Sequence, residues 1–132
     1  MTNPYRVLVT GSRSWDDVAA VHAALEAAYR STRATPVVVV HGACPHGADE
    51  HARAWAVEMS RQGKPVLEEA HPANWRPSGG QLDRAAGFRR NAEMVALGAD
   101  VALAFIRDGS RGASHTADLA EKAGIPTRRF TA

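Results

Sequence analysis

The chain has 132 residues, 45% of them apolar and 23% charged, which suits one globular domain over 1–132 with its own buried core. Its formal net charge of +2 does not call for a nucleic-acid partner, and no apolar run approaches the roughly 20 residues of a membrane span. Cys44 is the single cysteine, so an internal disulfide is excluded, and with no secretory signal at the N-terminus a reducing, cytoplasmic setting is expected.

Residues 5–10 predict a first strand, buried on both faces and ending at Gly11. Gly11-Ser12-Arg13-Ser14-Trp15 follows, with Asp16 or Asp17 as the expected helix N-cap. Val18, Val21, Leu25 and Ala28 then recur at helical spacing. Val37-Val38-Val39-Val40 is a β-branched run, expected as a central parallel strand. It leads into the segment 41–49, which carries Gly42, Gly47 and Asp49. The next helix is expected to bury Ala48, Ala52, Trp55 and Met59 and to end at Gly63. Residues 65–70 predict an edge strand, and 71–80 a long irregular loop. Residues 81–97 predict a helix with Ala85, Phe88, Ala92 and Val95 as its core face, despite Gly87 in its middle. A strand over 101–106 precedes the loop 107–116. A helix starting near Ala113 follows, with Ala113, Ala117, Ala120 and Ala123 packed on the sheet, and 126–130 is the second edge strand.

Alternating strands and helices define an α/β fold: a three-layer parallel sheet of about five strands with right-handed crossovers, in the order 3-2-1-4-5. Strands one and four are then neighbours whose crossovers leave in opposite directions, and ligands bind beyond the C-terminal strand ends at such a point. Gly11-Ser12-Arg13 and Gly109-Ser110-Arg111-Gly112 should face each other there, with Gly42, Gly47 and Asp49 on a third wall. A strand, a glycine turn and a helix start make an anion site, because free N–H groups and the helix dipole point outward. Ser110, Ser114 and Thr116 add hydroxyls, and Arg13, Arg90 and Arg111 add guanidinium forks suited to phosphate. Asn91 is expected to hold a backbone carbonyl or a sugar hydroxyl. Trp15 and Trp75 lie in loops where either could stack on a base, whereas Trp55 belongs to the core.

Together Gly11-Ser12-Arg13-Ser14-Trp15, the segment 41–49, Ala73-Asn74-Trp75, Arg90-Asn91-Ala92-Glu93-Met94 and Asp108-Gly109-Ser110-Arg111-Gly112 resemble the SLOG superfamily, most closely its YspA-like branch. The resemblance spans nearly the whole chain. It implies a Rossmann-like fold, a nucleotide or nucleotide-derived ligand, and pairing of two copies as a homodimer. The related lonely-guy phosphoribohydrolases cleave the N-glycosidic bond of nucleoside monophosphates. They carry an arginine helix, then Pro-Gly-Gly-x-Gly-Thr-x-x-Glu. Here Arg90 matches the arginine, Asp108 stands for the proline, Ser110 for the second glycine, Ala113 for the threonine and Thr116 for the glutamate.

That last difference bears on chemistry, since glycosidic cleavage uses a carboxylate and a threonine supplies none. Glu93, one turn from Arg90, is the weak catalytic candidate, and its alternative is an ion pair along the helix. His41, Cys44, His46 and His51 match no common zinc spacing, so neither metal nor cofactor is expected. Two functions stay open: a sensor, carrier or sequestering protein for a nucleotide or ADP-ribose-like molecule, or a nucleotide N-glycosidase acting on the same ligand. Nucleic-acid binding ranks below both, because aromatics are few.

Overall fold

The computed structural model describes residues 3–132. Its parallel strands are β1 (Tyr5–Gly11), β2 (Val37–His41), β3 (Val66–Ala70), β4 (Val101–Ile106) and β5 (Thr127–Thr131). They form one five-stranded sheet in the order β3-β2-β1-β4-β5, as the alternation of elements predicts. The helices are α1 (Val18–Arg30), α2 (Ala48–Arg61), α3 (Ala86–Ala96) and α4 (Arg111–Lys122).

The strand period of two divides the core between the two faces of the sheet. Val7, Val9, Val37, Val39, Leu103 and Phe105 pack with Val21 and Leu25 of α1 and with Ala52 and Trp55 of α2. Leu8, Val38, Val40 and Ala102 pack with Met94 and Val95 of α3 and Ala120 of α4. β2 is buried along its whole length, as its valine run requires, while β3 and β5 expose charges at the sheet edges.

Asp17 caps α1, its carboxylate accepting from Ala20 N at 3.0 Å. Val18 is largely exposed and Met59 only half-buried, so Ala24 and Ala56 complete those two helix faces instead. α4 starts at Arg111, two residues before the expected Ala113, and Ala123 falls outside its buried face.

α3 departs most from expectation. It begins at Ala86 rather than near 81, because Asp83 forms a turn that accepts from both Ala85 N and Ala86 N. Its buried side is Ala86, Gly87, Arg90, Asn91, Met94 and Val95. Ala85, Phe88 and Ala92 lie outside, with Phe88 edge-on to the His115 ring at 5.3 Å. Apolar periodicity misassigned this helix because its inner face carries an arginine and an asparagine that bond each other and, through the arginine, two backbone carbonyls.

Candidate functional site

The loops at the C-terminal edge of the sheet enclose a cavity of about 400 Å³, a size suited to a small organic ligand. The β1 loop reaches it because of two close approaches. A Cβ at Gly11 would stand 2.4 Å from the Ala48 Cβ, so only glycine lets the start of α2 press against the end of β1. Gly47 has φ +78°, and a Cβ there would stand 2.2 Å from the Ser12 carbonyl oxygen. Gly11 and Gly47 thus work through packing, and their nesting places Asp49, in the first turn of α2, on the cavity wall.

Ser12 joins the two central loops. Its N–H donates to Phe105 O at 2.9 Å, and its Oγ accepts from Arg107 N at 2.9 Å. The same hydroxyl donates to Arg107 O at 3.4 Å, so both its roles are taken up in holding the two loops together. Across from it, Ser110, Gly112 and Ala113 line the cavity at the start of α4, where no side chain caps the helix. The N–H groups of that first turn have no partner within their own helix and can serve an anion. Gly109, at φ +62°, turns the chain just before this wall and is not part of it.

Arg13, Arg84, Arg90 and Arg107 stand in the wall, against Asp49 as its one carboxylate among the described residues. Arg90 is buried. Its Nε donates to Asn91 Oδ1 at 2.6 Å, and its Nη1 donates to Gly42 O and to His71 O. A Cβ at Gly42 would collide with this guanidinium, so Gly42 supplies room and a carbonyl to Arg90. Nη2 has no protein acceptor among the described residues, so a donor edge remains. Arg107 donates to Ser14 O at 2.9 Å and lies 3.1 Å from Asp16, which partly compensates its charge. Sequence reasoning passed over Arg84 and Arg107. The available signal for Arg107 was its place as the first residue beyond β4, where strand ends face ligands.

Burial raises the Asp49 carboxyl above the ordinary aspartate range, opposed by the Cys44 N–H and thiol and by the Arg90 guanidinium. That N–H donates to Asp49 Oδ2 at 3.3 Å. Apolar surface comes from Val9, Trp75, Phe88 and Met94. The Trp75 ring seats against Gly87, where a Cβ would stand 3.0 Å from its Cη2, and Arg13 lies 5.6 Å from its centroid. Gly87, which weakens α3 as a helix, is the residue that admits this ring.

Several expected site residues lie elsewhere. Trp15 is 4% exposed, tilted on Phe105 at 5.4 Å, with Nε1 donating to Asp17 O. Burying an indole in the core outweighs leaving it in a loop, so no face of Trp15 is free to stack on a base. Thr116 is fully buried, and its hydroxyl donates to Gly112 O at 2.9 Å. It lies three residues after Ala113 and four before Ala120, so it shares their sheet-facing side of α4 and is turned away from the cavity. Glu93 is exposed and belongs to a separate cleft beside Asp83 and Arg89. Arg111 and Ser114 sit on α4 without lining the cavity. The histidines near β2 have scaffolding partners: His41 Nδ1 accepts from Ala43 N, and His51 Nε2 lies 3.1 Å from Trp15 O. His41 Nε2 is 3.2 Å from Glu68 but badly angled for a hydrogen bond. The described residues hold no group of three or more His, Cys, Asp or Glu side chains placed to bind a metal ion.

Fold and site together define a Rossmann-like α/β protein with an arginine-rich cavity at the switch point of its sheet. The chain belongs to the YspA, cpYpsA-related SLOG family, whose model matches residues 5–77. It is 45% identical over 126 residues to the Gene 61 protein of Mycobacterium phage D29, an alignment covering 95% of each chain. No solved structure matches it. Among the described residues, no helix is long and apolar enough to cross a membrane.

Proposed function

We propose that the protein binds a nucleotide or nucleotide-derived, ADP-ribose-like molecule in this cavity, as a sensor, carrier or sequestering protein. One observation carries the reading: the wall sets four guanidinium groups and an uncapped helix start against one carboxylate, beside an apolar surface that includes Trp75. Such a wall favours a ligand with an anionic end and a flat apolar end. Family membership is consistent with it. Thr116 and Glu93 lie outside the wall, so glycosidic hydrolysis, the second reading, would have Asp49 as its carboxyl, and release of free base by wild type but not by Asp49→Ala would favour it.

Denaturing the purified protein and identifying the released small molecules by mass spectrometry tests the reading, with nucleotide thermal-shift screening as its complement. A ligand at one hundred times its dissociation constant adds about 2.7 kcal/mol of stability, a shift of several degrees. Absence of any nucleotide-type ligand in both assays contradicts the proposal.

Pairing of two copies belongs to the same proposal. Leu97, just beyond α3 and outside the cavity wall, is 60% exposed, and a second copy would cover it. Sedimentation at the monomer mass of 14.1 kDa contradicts pairing.

A further inference from the structure

The cavity wall holds one unusual group for a site rich in guanidinium. Asp49 is 6% exposed and lines the cavity, with Oδ2 accepting from Cys44 N. The Cys44 thiol also approaches the carboxyl, and no donor from any other residue meets it among the described residues, which leaves acceptor capacity unused. A carboxyl withdrawn from water with an unused acceptor is costly if a ligand displaces the remaining water without replacing its hydrogen bonds. Whatever fills the cavity therefore has to bring donors to this point.

The position of Asp49 says which part of the ligand brings them. Gly47 presses on Ser12 and Arg13, and Ser12 is bonded to Arg107 at the entrance to α4. The carboxyl thus sits on the wall that adjoins the anion-binding loops. The aromatic and thioether surface of Trp75, Phe88 and Met94 is carried by α3 and the loop before it. In a nucleotide the group between phosphate and base is the sugar. Two vicinal hydroxyls on one side of a ribose ring match the two oxygens of a carboxyl, and an exocyclic amine at the far end of a base does not share that position.

We infer that Asp49 receives the sugar hydroxyls of the ligand and makes the cavity selective for ribose over deoxyribose. The inference rests on the nucleotide reading above. It assigns a specificity-determining contact to a residue that touches neither the phosphate nor the base.

Isothermal titration of four matched pairs tests it: AMP, GMP, CMP and UMP, each against its 2′-deoxy counterpart, with the protein as purified. Within a pair the base and phosphate cancel. The expected result is about ten-fold or more tighter binding of the ribose member of each pair that binds, since a lost hydrogen bond to a charged group costs about that factor. In Asp49→Asn, which keeps an acceptor for Cys44 N–H, the ratio should fall toward about two-fold, and in Asp49→Ala toward one. Circular dichroism and thermal melting verify that both variants fold. Equal binding of ribose and deoxyribose members by the wild type overturns the inference and leaves the nucleotide reading standing. So does discrimination that sets the amino bases of AMP, GMP and CMP apart from UMP and does not follow the sugar. Failure of all eight nucleotides to bind, together with no ligand released on denaturation, overturns the inference and that reading together.

Discussion

At the scale of single residues, the site is held by groups whose own stability is sacrificed or constrained. Asp49 is the clearest case. Burial raises its carboxyl above the ordinary value of 3.8. Below that value the acid is protonated in folded and unfolded chains alike, and its ionisation costs nothing. As pH rises above it, the unfolded chain ionises first, so stability falls until the folded group ionises too. Replacing Asp49 with asparagine should therefore raise the melting temperature of the ligand-free protein at pH 7, with the gain shrinking at pH 4. An equal or lower melting temperature at pH 7 contradicts this account of Asp49. Gly47→Ala should act the other way. Its φ is +78° and its Cβ would meet Ser12 and Arg13 backbone, so a loss of about 3 kcal/mol is expected in urea unfolding. A loss below about 1 kcal/mol would show that the two loops can separate at little cost.

At the scale of elements, the placement of Arg90 depends on an ion-pair cluster at the edge of the sheet. Arg6 on β1 donates to both oxygens of Glu69 on β3 at 2.9 and 2.8 Å, and to Gly98 O at 3.0 Å. His71 Nε2 lies 2.6 Å from Glu69 Oε2, and the His71 carbonyl accepts from Arg90. The Arg6 hydrogen bonds are the main reason that Glu69 titrates at about 2, below its ordinary 4.5. This contribution is complete above the ordinary glutamate value and is lost as pH falls toward 2. The pair is one-quarter to one-third exposed, so Glu69→Gln should cost only about 1 kcal/mol at pH 7. The deficit should narrow at pH 3, measured by urea unfolding. A deficit that is the same at both pH values contradicts the ion-pair account. Ligand affinity should also fall, because the carbonyl that orients Arg90 loosens.

The same scale shows where the sequence was legible. The valine run of β2, the alternation of strands and helices and the Asp17 cap are local signals, and each gave its element. α3 was misread because periodicity counts apolar residues. There the inward side carries Arg90 and Asn91: Arg90 Nε donates to Asn91 Oδ1, and Arg90 Nη1 donates to carbonyls just beyond β2 and just beyond β3. Those carbonyls are 48 and 19 residues away in the chain, so no window along α3 contains them. Trp15 and Thr116 were misplaced for related reasons. A loop tryptophan was free to turn inward, and residue 116, read as part of a loop motif, shares the helix face of Ala113 and Ala120 that packs on the sheet. Strand order led to the expectation of Arg13 and Asp49 at one crevice with Trp75 near it, and the resemblance led to Arg90; all four line the same cavity.

At the scale of the whole molecule, a neutral-to-basic chain concentrates positive charge at one end of its sheet. The packing of β1 between β2 and β4 makes this possible, since it brings the loops of Arg13 and Arg107 together. A single change, Arg90→Gln, should leave the sheet intact but lower nucleotide affinity by about ten-fold or more, as expected for one charge-assisted contact. Unchanged affinity in titration calorimetry would confine Arg90 to a structural role. The most direct test of the anion-binding cavity is a proton–nitrogen correlation spectrum of the labelled protein titrated with ADP-ribose and AMP. The account predicts saturable shifts concentrated at the amides of 11–14, 44–49 and 110–113, absent with the matching uncharged nucleoside. Shifts centred on any other surface, or none at millimolar nucleotide, contradict it.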